Sequence, residues 1–305
     1  MTTIHQNQIK SAPAVVSRVF WHLECWGLKR IDAWGVTFLV CALALVVHHV
    51  ITVQTLLLLV AITANYWLGY WLNDYFDAAH DSTDEFKASQ NLFVQRPGLR
   101  RLVWVVTVLT FGLSAAVFLS FSWRGLTILL MNFLVMWMYS APPLRLKSRP
   151  GLDVLTHALF VQTWPYMVCL WLTRSPVTQL DGILLGLFFL TSLNGQLNQQ
   201  IRDFEVDTRT DTNFATRVGR AKTVFALKVS TLAVVLLSLL AVGSGTIPWL
   251  LVPLGLLALP KAIYQMSHRR SRASRRFPRH LVYIITLLAL LYMSVLMILE
   301  GTAEF

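Results

Sequence analysis

Asn73-Asp74-Tyr75-Phe76-Asp77-Ala78-Ala79-His80-Asp81 closes an apolar run that begins near residue 55, and Asp203-Phe204-Glu205-Val206-Asp207-Thr208-Arg209-Thr210-Asp211 closes another that begins near residue 182. Each apolar run has the ~20 residues needed to cross a bilayer as a helix. A carboxylate at the bilayer edge is costly, and an array of them calls for bound divalent cations. The two stretches therefore assign the chain to the all-helical membrane proteins and point to a phosphorylated lipid as its substrate.

The rest of the chain agrees. Of 305 residues, 55% are hydrophobic and only 13% charged, more apolar sequence than the core of a soluble domain of this size uses. Runs near spanning length fall at roughly 34–53, 55–73, 102–121, 125–140, 154–173, 182–201, 224–242, 247–264 and 281–299. Nine spans with the N-terminus inside leave every Lys and Arg on the cytoplasmic side except Arg124 and Arg174. The C-terminus is then expected on the opposite face, with a bacterial inner membrane as the setting. The net charge of +11 follows from that topology and from contact with membrane lipids. No nucleic-acid-reading motif is present, and no nucleic-acid partner is expected.

Residues 1–32 read as a cytoplasmic amphipathic segment, since Val15 to Leu28 interleaves apolar residues with Arg18, His22 and Glu24 and has no signal-peptide pattern. Residues 33–299 read as one helical bundle, the whole chain forming a single membrane-embedded domain. Cys25, Cys41 and Cys169 have no metal-ligand spacing and read as packing residues.

Asp77 to Asp207 and Asp81 to Asp211 are both separated by 130 positions. Two pseudo-repeated four-helix units plus one further helix produce this offset and bring both clusters to the same end of a central cavity. Residues four apart share a helix face, so Asp77 pairs with Asp81, and Asp203, Asp207 and Asp211 stack, with Asp74 joining the first group. Mg²⁺ suits such a site because it takes one or two carboxylates plus waters and substrate phosphates. Ions shared by the clusters would clamp a diphosphate leaving group, with Asn73 adding an amide oxygen. The plainer alternative is solvated charge at helix ends.

A third segment, Tyr139-Ser-Ala-Pro142-Pro143-Leu-Arg145-Leu-Lys147, joins the fourth and fifth runs. The prolines end the helix. Arg145 and Lys147 then lie on the carboxylate side, one a planar fork for phosphate oxygens and the other a point charge. Positive-inside anchoring is the alternative.

Taken together, the N-D-x-x-D-x-x-x-D, D-x-x-x-D and Y-S-x-P-P-x-R-L-K motifs, in that order, resemble the UbiA superfamily of intramembrane prenyltransferases over essentially the whole chain. The resemblance implies a Mg²⁺-dependent enzyme that transfers a prenyl group from an isoprenyl diphosphate to an aromatic or lipid-like acceptor and releases diphosphate. Carried over by motif, Asp74, Asp77, Asp81, Asp203, Asp207 and Asp211 hold the metal, Asn73, Arg145 and Lys147 meet the diphosphate, and Tyr139 lines the cavity. One departure is clear. Many members continue the first motif with K-P-x-R-P, whereas this chain reads Asp84-Glu85-Phe86-Lys87, with Arg96-Pro97 later. Lys87 is retained as a diphosphate contact, and acceptor identity is left open.

Aromatic faces that stabilise an allylic cation come from Tyr66, Trp67, Tyr70, Trp71, Trp164 and Tyr166, with membrane packing the alternative for each. Asn194 and Asn198, four apart, either line the polar side of the cavity or hydrogen-bond a neighbouring helix. His48-His49 lies far from the carboxylates, and the arginine run from His268 to His280 reads as a topology anchor on anionic lipid. Two other functions fit less well: a UbiA-type terpene cyclase that needs only the diphosphate, and a transporter or ion-binding protein without chemistry.

Overall fold

The structure is a computed structural model and describes residues 26–28, 30–269 and 277–302. Most of the expected amphipathic segment at 15–28 and the centre of the arginine run lie outside the described residues. Among those described, every regular element is helical, as a chain in lipid requires, because a helix satisfies its own backbone groups.

Helices α1 (Ile31–Val47) and α2 (Val53–Asp81) are followed by the short α3 (Glu85–Gln90) and α4 (Leu92–Gln95). Next come α5 (Val103–Leu119), entered through a 3₁₀ stretch Pro97–Leu102, and α6 (Trp123–Ser140). Helices α7 (Leu152–Ala158) and α8 (Trp164–Thr173) are joined by the π-helical turn Leu159–Thr163. The remainder is α9 (Gln179–Thr210), the short α10 (Phe214–Val218), α11 (Arg220–Gly243), α12 (Val252–Met266) and α13 (Arg279–Thr302).

Six of these segments, Val53–Asp81, Pro97–Leu119, Gln179–Thr210, Arg220–Gly243, Trp249–Met266 and Arg279–Gly301, are long and apolar enough to cross a membrane. The first span, α1, has 17 residues and is shorter than the apolar run at 34–53. His48 and His49 close α1, His49 with φ 51°, and the Thr52 side chain caps α2 immediately afterwards. The two aspartate-bearing helices are longer than their apolar runs. From Val53 and Gln179, ~20 residues span the hydrocarbon, so α2 and α9, with 29 and 32 residues, project roughly two and a half and three further turns at the same end. Those turns carry the carboxylates clear of lipid.

Packing places the site between α2 and α9. Val40 to Val46 of α1 is buried on all sides and joins Leu58 and Ile62 of α2, Leu129 of α6 and Leu170 of α8 in the main apolar core. A second cluster, Trp26, Trp71, Phe93 and Leu99, fastens α3–α5 against the end of α2. A third, Leu197, Ile201, Val224 and Leu227, joins α9 to α11. Leu113, Leu240, Trp249 and Ile298 are exposed, the surface of a bundle that meets lipid.

Pro165 lies at the start of α8 and lacks the N–H that would continue the ladder, and the π turn precedes it. Phe160 and Val161 within that turn reach the central cavity.

Candidate active site

A cavity of about 330 Å³ opens between the ends of α2 and α9. Asn73, Asp74, Asp77, Asp81, Lys87, Tyr139, Arg145, Lys147, Asp203, Asp207 and Asp211 all line it. Asn198 does not appear on its wall; Gln196, Gln199 and Gln200 of the same helix do. The neighbouring Asn194 accepts from the Ser230 hydroxyl across the α9–α11 contact, a helix-to-helix bond of the kind found inside membranes.

Asn73, Asp77 and Asp81 follow one another at the i, i+4 spacing along α2 and share a face. Lys147 Nζ donates to Asn73 Oδ1 at 2.7 Å and also to Asp77 Oδ2. Arg145 donates to Asp77 Oδ1 at 3.1 Å and lies 3.7 Å from Asp211 Oδ2, so one guanidinium stands between the two motifs. It holds that position from a left-handed backbone, φ 37°, which is strained for a non-glycine residue.

Lys87 makes the second link between motifs. Its Nζ is 2.7 Å from Asp207 Oδ1, although it follows the first motif in sequence. Burial pulls the Lys87 ammonium down, but Asp207, with Asp203 and Asp81 beyond, outweighs that and leaves it above the usual lysine value. Lys147 is shifted the other way. Its burial outweighs the pull of Asp77, with Arg145 adding repulsion, and it sits below the ordinary range. Lys147 thus holds its proton less firmly than Lys87.

Asp74 differs from the other motif carboxylates. It is 1% exposed, and both oxygens have donors from the chain entering α1: Trp26 Nε1 at 2.8 Å and Arg30 at 2.7 Å. The arrangement ties the start of the bundle to the end of α2.

Several supporting residues gave little sequence signal. Asn91 caps α4 and donates to Asp81 Oδ2 at 2.8 Å and to the Asp74 carbonyl at 2.7 Å. Asn213 caps α10 and donates to Asp207 Oδ2 at 2.8 Å. Fully buried Asp153 accepts from the backbone N–H of Gly151 and of Phe214, each at 2.7 Å, and from Gln200, binding α7, α9 and α10 together. Each of these asparagines opens a short helix just after a motif, so their capping position was the available clue.

Of the aromatic candidates, Tyr66 and Tyr70 line the cavity. Trp67 and Trp71 stack on each other at 5.5 Å and pack with Trp26 instead. Tyr166 is buried at the opposite end of the bundle, donating to Asp181 at 2.6 Å, where His48 also meets Asp181 at 2.9 Å. Trp164 donates its indole N–H to Asn132.

Among the described residues no three His, Cys, Asp or Glu side chains gather closely enough to enclose an ion. The mouth offers instead an open set of hard oxygen donors on two facing helices. That donor set suits Mg²⁺, which keeps waters and completes its shell with phosphate oxygens, and does not suit a metal that needs a full protein cage. The wall carries six aspartates and five Lys or Arg side chains, Arg30, Lys87, Arg145, Lys147 and Arg202. A diphosphate alone would leave this mouth strongly negative, whereas a diphosphate entering with divalent cations would not.

Comparison with known proteins agrees with this architecture. The family model for the UbiA prenyltransferase family matches residues 35–285. A lycopene elongase/hydratase of Corynebacterium glutamicum is 27% identical over 197 residues, covering 60% of this chain and 66% of the relative, slightly under two thirds of its length. The fold matches a UbiA homolog from Archaeoglobus fulgidus bound to GPP and Mg²⁺, with TM-score 0.70, 18% identity, and 88% of this chain and 98% of that one covered. The DMAPP and Mg²⁺ complex of that homolog matches with TM-score 0.69, 18% identity, and coverage of 88% and 97%. An apo UbiA homolog from Aeropyrum pernix K1 matches with TM-score 0.65, 13% identity, and coverage of 88% and 98%.

Proposed function

Because the chain belongs to the UbiA prenyltransferase family, we propose that it is a Mg²⁺-dependent prenyltransferase. In this reading it moves a short prenyl group from an isoprenyl diphosphate to a carbon–carbon double bond of a hydrophobic acceptor. The observation that carries the proposal is the convergence of two aspartate clusters, 130 residues apart in sequence, on one mouth bridged by Arg145 and by Lys87. Solvated charges at unrelated helix ends would have no reason to meet there.

In this reading Asp77, Asp81, Asp203, Asp207 and Asp211, with Asn73, hold the ions, and Arg145, Lys147 and Lys87 grip phosphate oxygens. Asp74 contributes through its position behind them. Bound Mg²⁺ supplies charge neutralisation of the diphosphate as a leaving group. The side chains keep the diphosphate at the mouth so that the prenyl tail hangs into the apolar cavity. Tyr66 and Tyr70 line that cavity, and an aromatic face turned to a developing cation is worth about 0.5–2 kcal/mol. A water-poor wall strengthens that electrostatic help.

The cavity is at the small end of the ~300–1,000 Å³ usual for ligand pockets, which favours a donor of five or ten carbons. The lycopene elongase/hydratase relative favours a linear polyene acceptor; an aromatic acceptor is the competing choice. Purified protein given DMAPP or GPP with Mg²⁺ and a panel of lycopene, quinonoid and phenolic acceptors is the test, read by mass spectrometry and diphosphate release. An acceptor heavier by one prenyl unit is expected. No diphosphate release with any pair would sink the proposal, and a cyclic product from donor alone would replace it with a cyclase.

The bundle is read as one domain of nine spans, the six long apolar helices plus α1, α6 and the α7–α8 segment. The N-terminus and the motif loops are cytoplasmic and the C-terminus opposite, which leaves only Arg124 and Arg174 outside. Two repeated units are supported by α2 and α9, each opened by a threonine capping box and ended by aspartates. Labelling of single cysteines introduced at residues 122 and 246, which this topology places outside, tests it.

A further inference from the structure

Below the carboxylates the cavity wall is almost free of basic groups. Beside apolar groups such as Met136 and Phe160, the polar side chains there include Tyr66, Tyr70, Asn132, Tyr139 and Gln196, all neutral and none a base near neutral pH. His157 of α7 is the exception; the wall's other histidine, His80, stands among the first-motif carboxylates at the mouth. It packs against α9 at Gly195, where an added Cβ would lie 3.9 Å from its Cε1, an ordinary van der Waals contact. Eight residues separate Gly195 from Asp203, placing the imidazole about 12 Å along α9 from the carboxylates.

Its hydrogen bonding decides which nitrogen is available. Nδ1 is 3.2 Å from the Ser192 carbonyl oxygen. A carbonyl only accepts, so Nδ1 carries the hydrogen and the lone pair of the neutral ring is on Nε2. Among the described residues no hydrogen bond engages Nε2. A histidine is thus oriented from behind by a backbone carbonyl, with a free basic nitrogen in an apolar chamber beneath a diphosphate site.

We propose that His157 Nε2 is the proton acceptor that completes prenyl transfer, an inference that rests on the function proposed above. In that step the allylic C–O bond breaks and its electron pair leaves with the diphosphate. The π pair of the acceptor double bond forms the new C–C bond and leaves a cation on the acceptor. His157 Nε2 takes a proton from the adjacent carbon, the C–H pair becomes the new double bond, and the imidazolium later returns its proton to solvent. When water reaches the cation first, the same nitrogen takes the proton of the adding water, and the product is an alcohol.

His157→Asn places an amide N–H near the position of Nδ1, preserving the bond to Ser192, and removes the basic lone pair. With the purified full chain, DMAPP, Mg²⁺ and lycopene, or whichever member of the acceptor panel the parent converts, kcat should fall about 100-fold, within the range usual for a lost general base. The donor KM should stay within about threefold of the parent. In His157→Ala, added imidazole should restore kcat at least tenfold. An unchanged kcat in His157→Asn overturns the assignment, as does a fall that imidazole does not relieve in His157→Ala, since a packing role is not rescued by a free base. A parent that releases no diphosphate with any acceptor fails before this comparison and overturns the transferase reading itself.

Discussion

Replacing Asp77 with asparagine should change diphosphate binding in opposite directions depending on Mg²⁺. Asp77 is the shared partner of Arg145 and Lys147, and the side chains of Asp77 and Lys147 are only 12% and 11% exposed. In chelator these two cations are held by Asp77 and a diphosphate must compete with it. Asp77→Asn keeps the size and an acceptor oxygen but removes one negative charge from beside the phosphate position. Two unit charges 4 Å apart at an effective dielectric of 20 interact by about 4 kcal/mol. Solvent and salt around a mouth where Arg145 is 30% exposed reduce the useful part to about 1.4–2.8 kcal/mol. Inorganic diphosphate should therefore bind the variant ~10- to 100-fold more tightly than the parent in EDTA.

In Mg²⁺ the order reverses, because the lost carboxylate is one of the groups proposed to hold the ion. The parent should gain affinity on adding Mg²⁺ and the variant should gain much less, with turnover of DMAPP reduced by two orders of magnitude or more, about the effect of removing one stabilising group at a charged transition state. Titration calorimetry with inorganic diphosphate, in EDTA and in Mg²⁺, measures both limbs. Weaker binding of the variant in both buffers would show that Asp77 supports the fold of the mouth and does not compete for Arg145 and Lys147.

Asp74→Ala removes a buried acceptor from Trp26 and Arg30, and breaking such a pair costs about 3–5 kcal/mol; a lowered thermal midpoint with Trp26 emission shifted to the red is expected. Asp74→Asn should keep most Mg²⁺ affinity, and a loss as deep as that of Asp77→Asn would make Asp74 a direct ligand. Lys87→Met leaves Asp207 without its 2.7 Å partner and should raise the donor KM at least tenfold, more than its effect on kcat, in steady-state assays with DMAPP. In Gly69→Ala the new Cβ would sit 2.9 Å from Met136 Sδ, pushing that flexible side chain into the cavity, so the preference for DMAPP over GPP should grow about tenfold.

Helix α9 illustrates how much of the fold was legible. Its apolar run and the i, i+4 aspartates at its end were plain in sequence, since spanning length and helix periodicity are local properties. That the helix stops at Thr210 and leaves Asp211 in extended backbone, off the expected stack, was not, because a run of polar residues does not mark where a helix ends. The same distinction explains α1, whose apolar pattern ran on through His48 and His49 after its helix had stopped. At the site, Arg145 and Lys147 stood out by their spacing after Pro142-Pro143, but nothing local to Lys87 indicated a partner 120 residues away. Asp153, Asn91 and Asn213 were hidden for a related reason: each acts by bonding a segment remote in sequence or the flank of a motif. His157 had no signal of its own, and only the Ser192 carbonyl gives its nitrogens distinct roles.

From its residues alone, this chain settled what is set by composition and by spacing along one helix: an all-helical membrane protein, acidic ends on two long helices, and a basic hinge between the fourth and fifth apolar runs. Its tertiary structure decided which of those charges meet. Asp74 turned toward Trp26 and Arg30, Lys87 crossed to Asp207, and Arg145 came between Asp77 and Asp211. Coulomb and hydrogen-bond energies depend on distances of a few ångströms between atoms far apart in the chain, and packing of α2 against its neighbours and of α9 against α11 sets those distances where sequence separation does not.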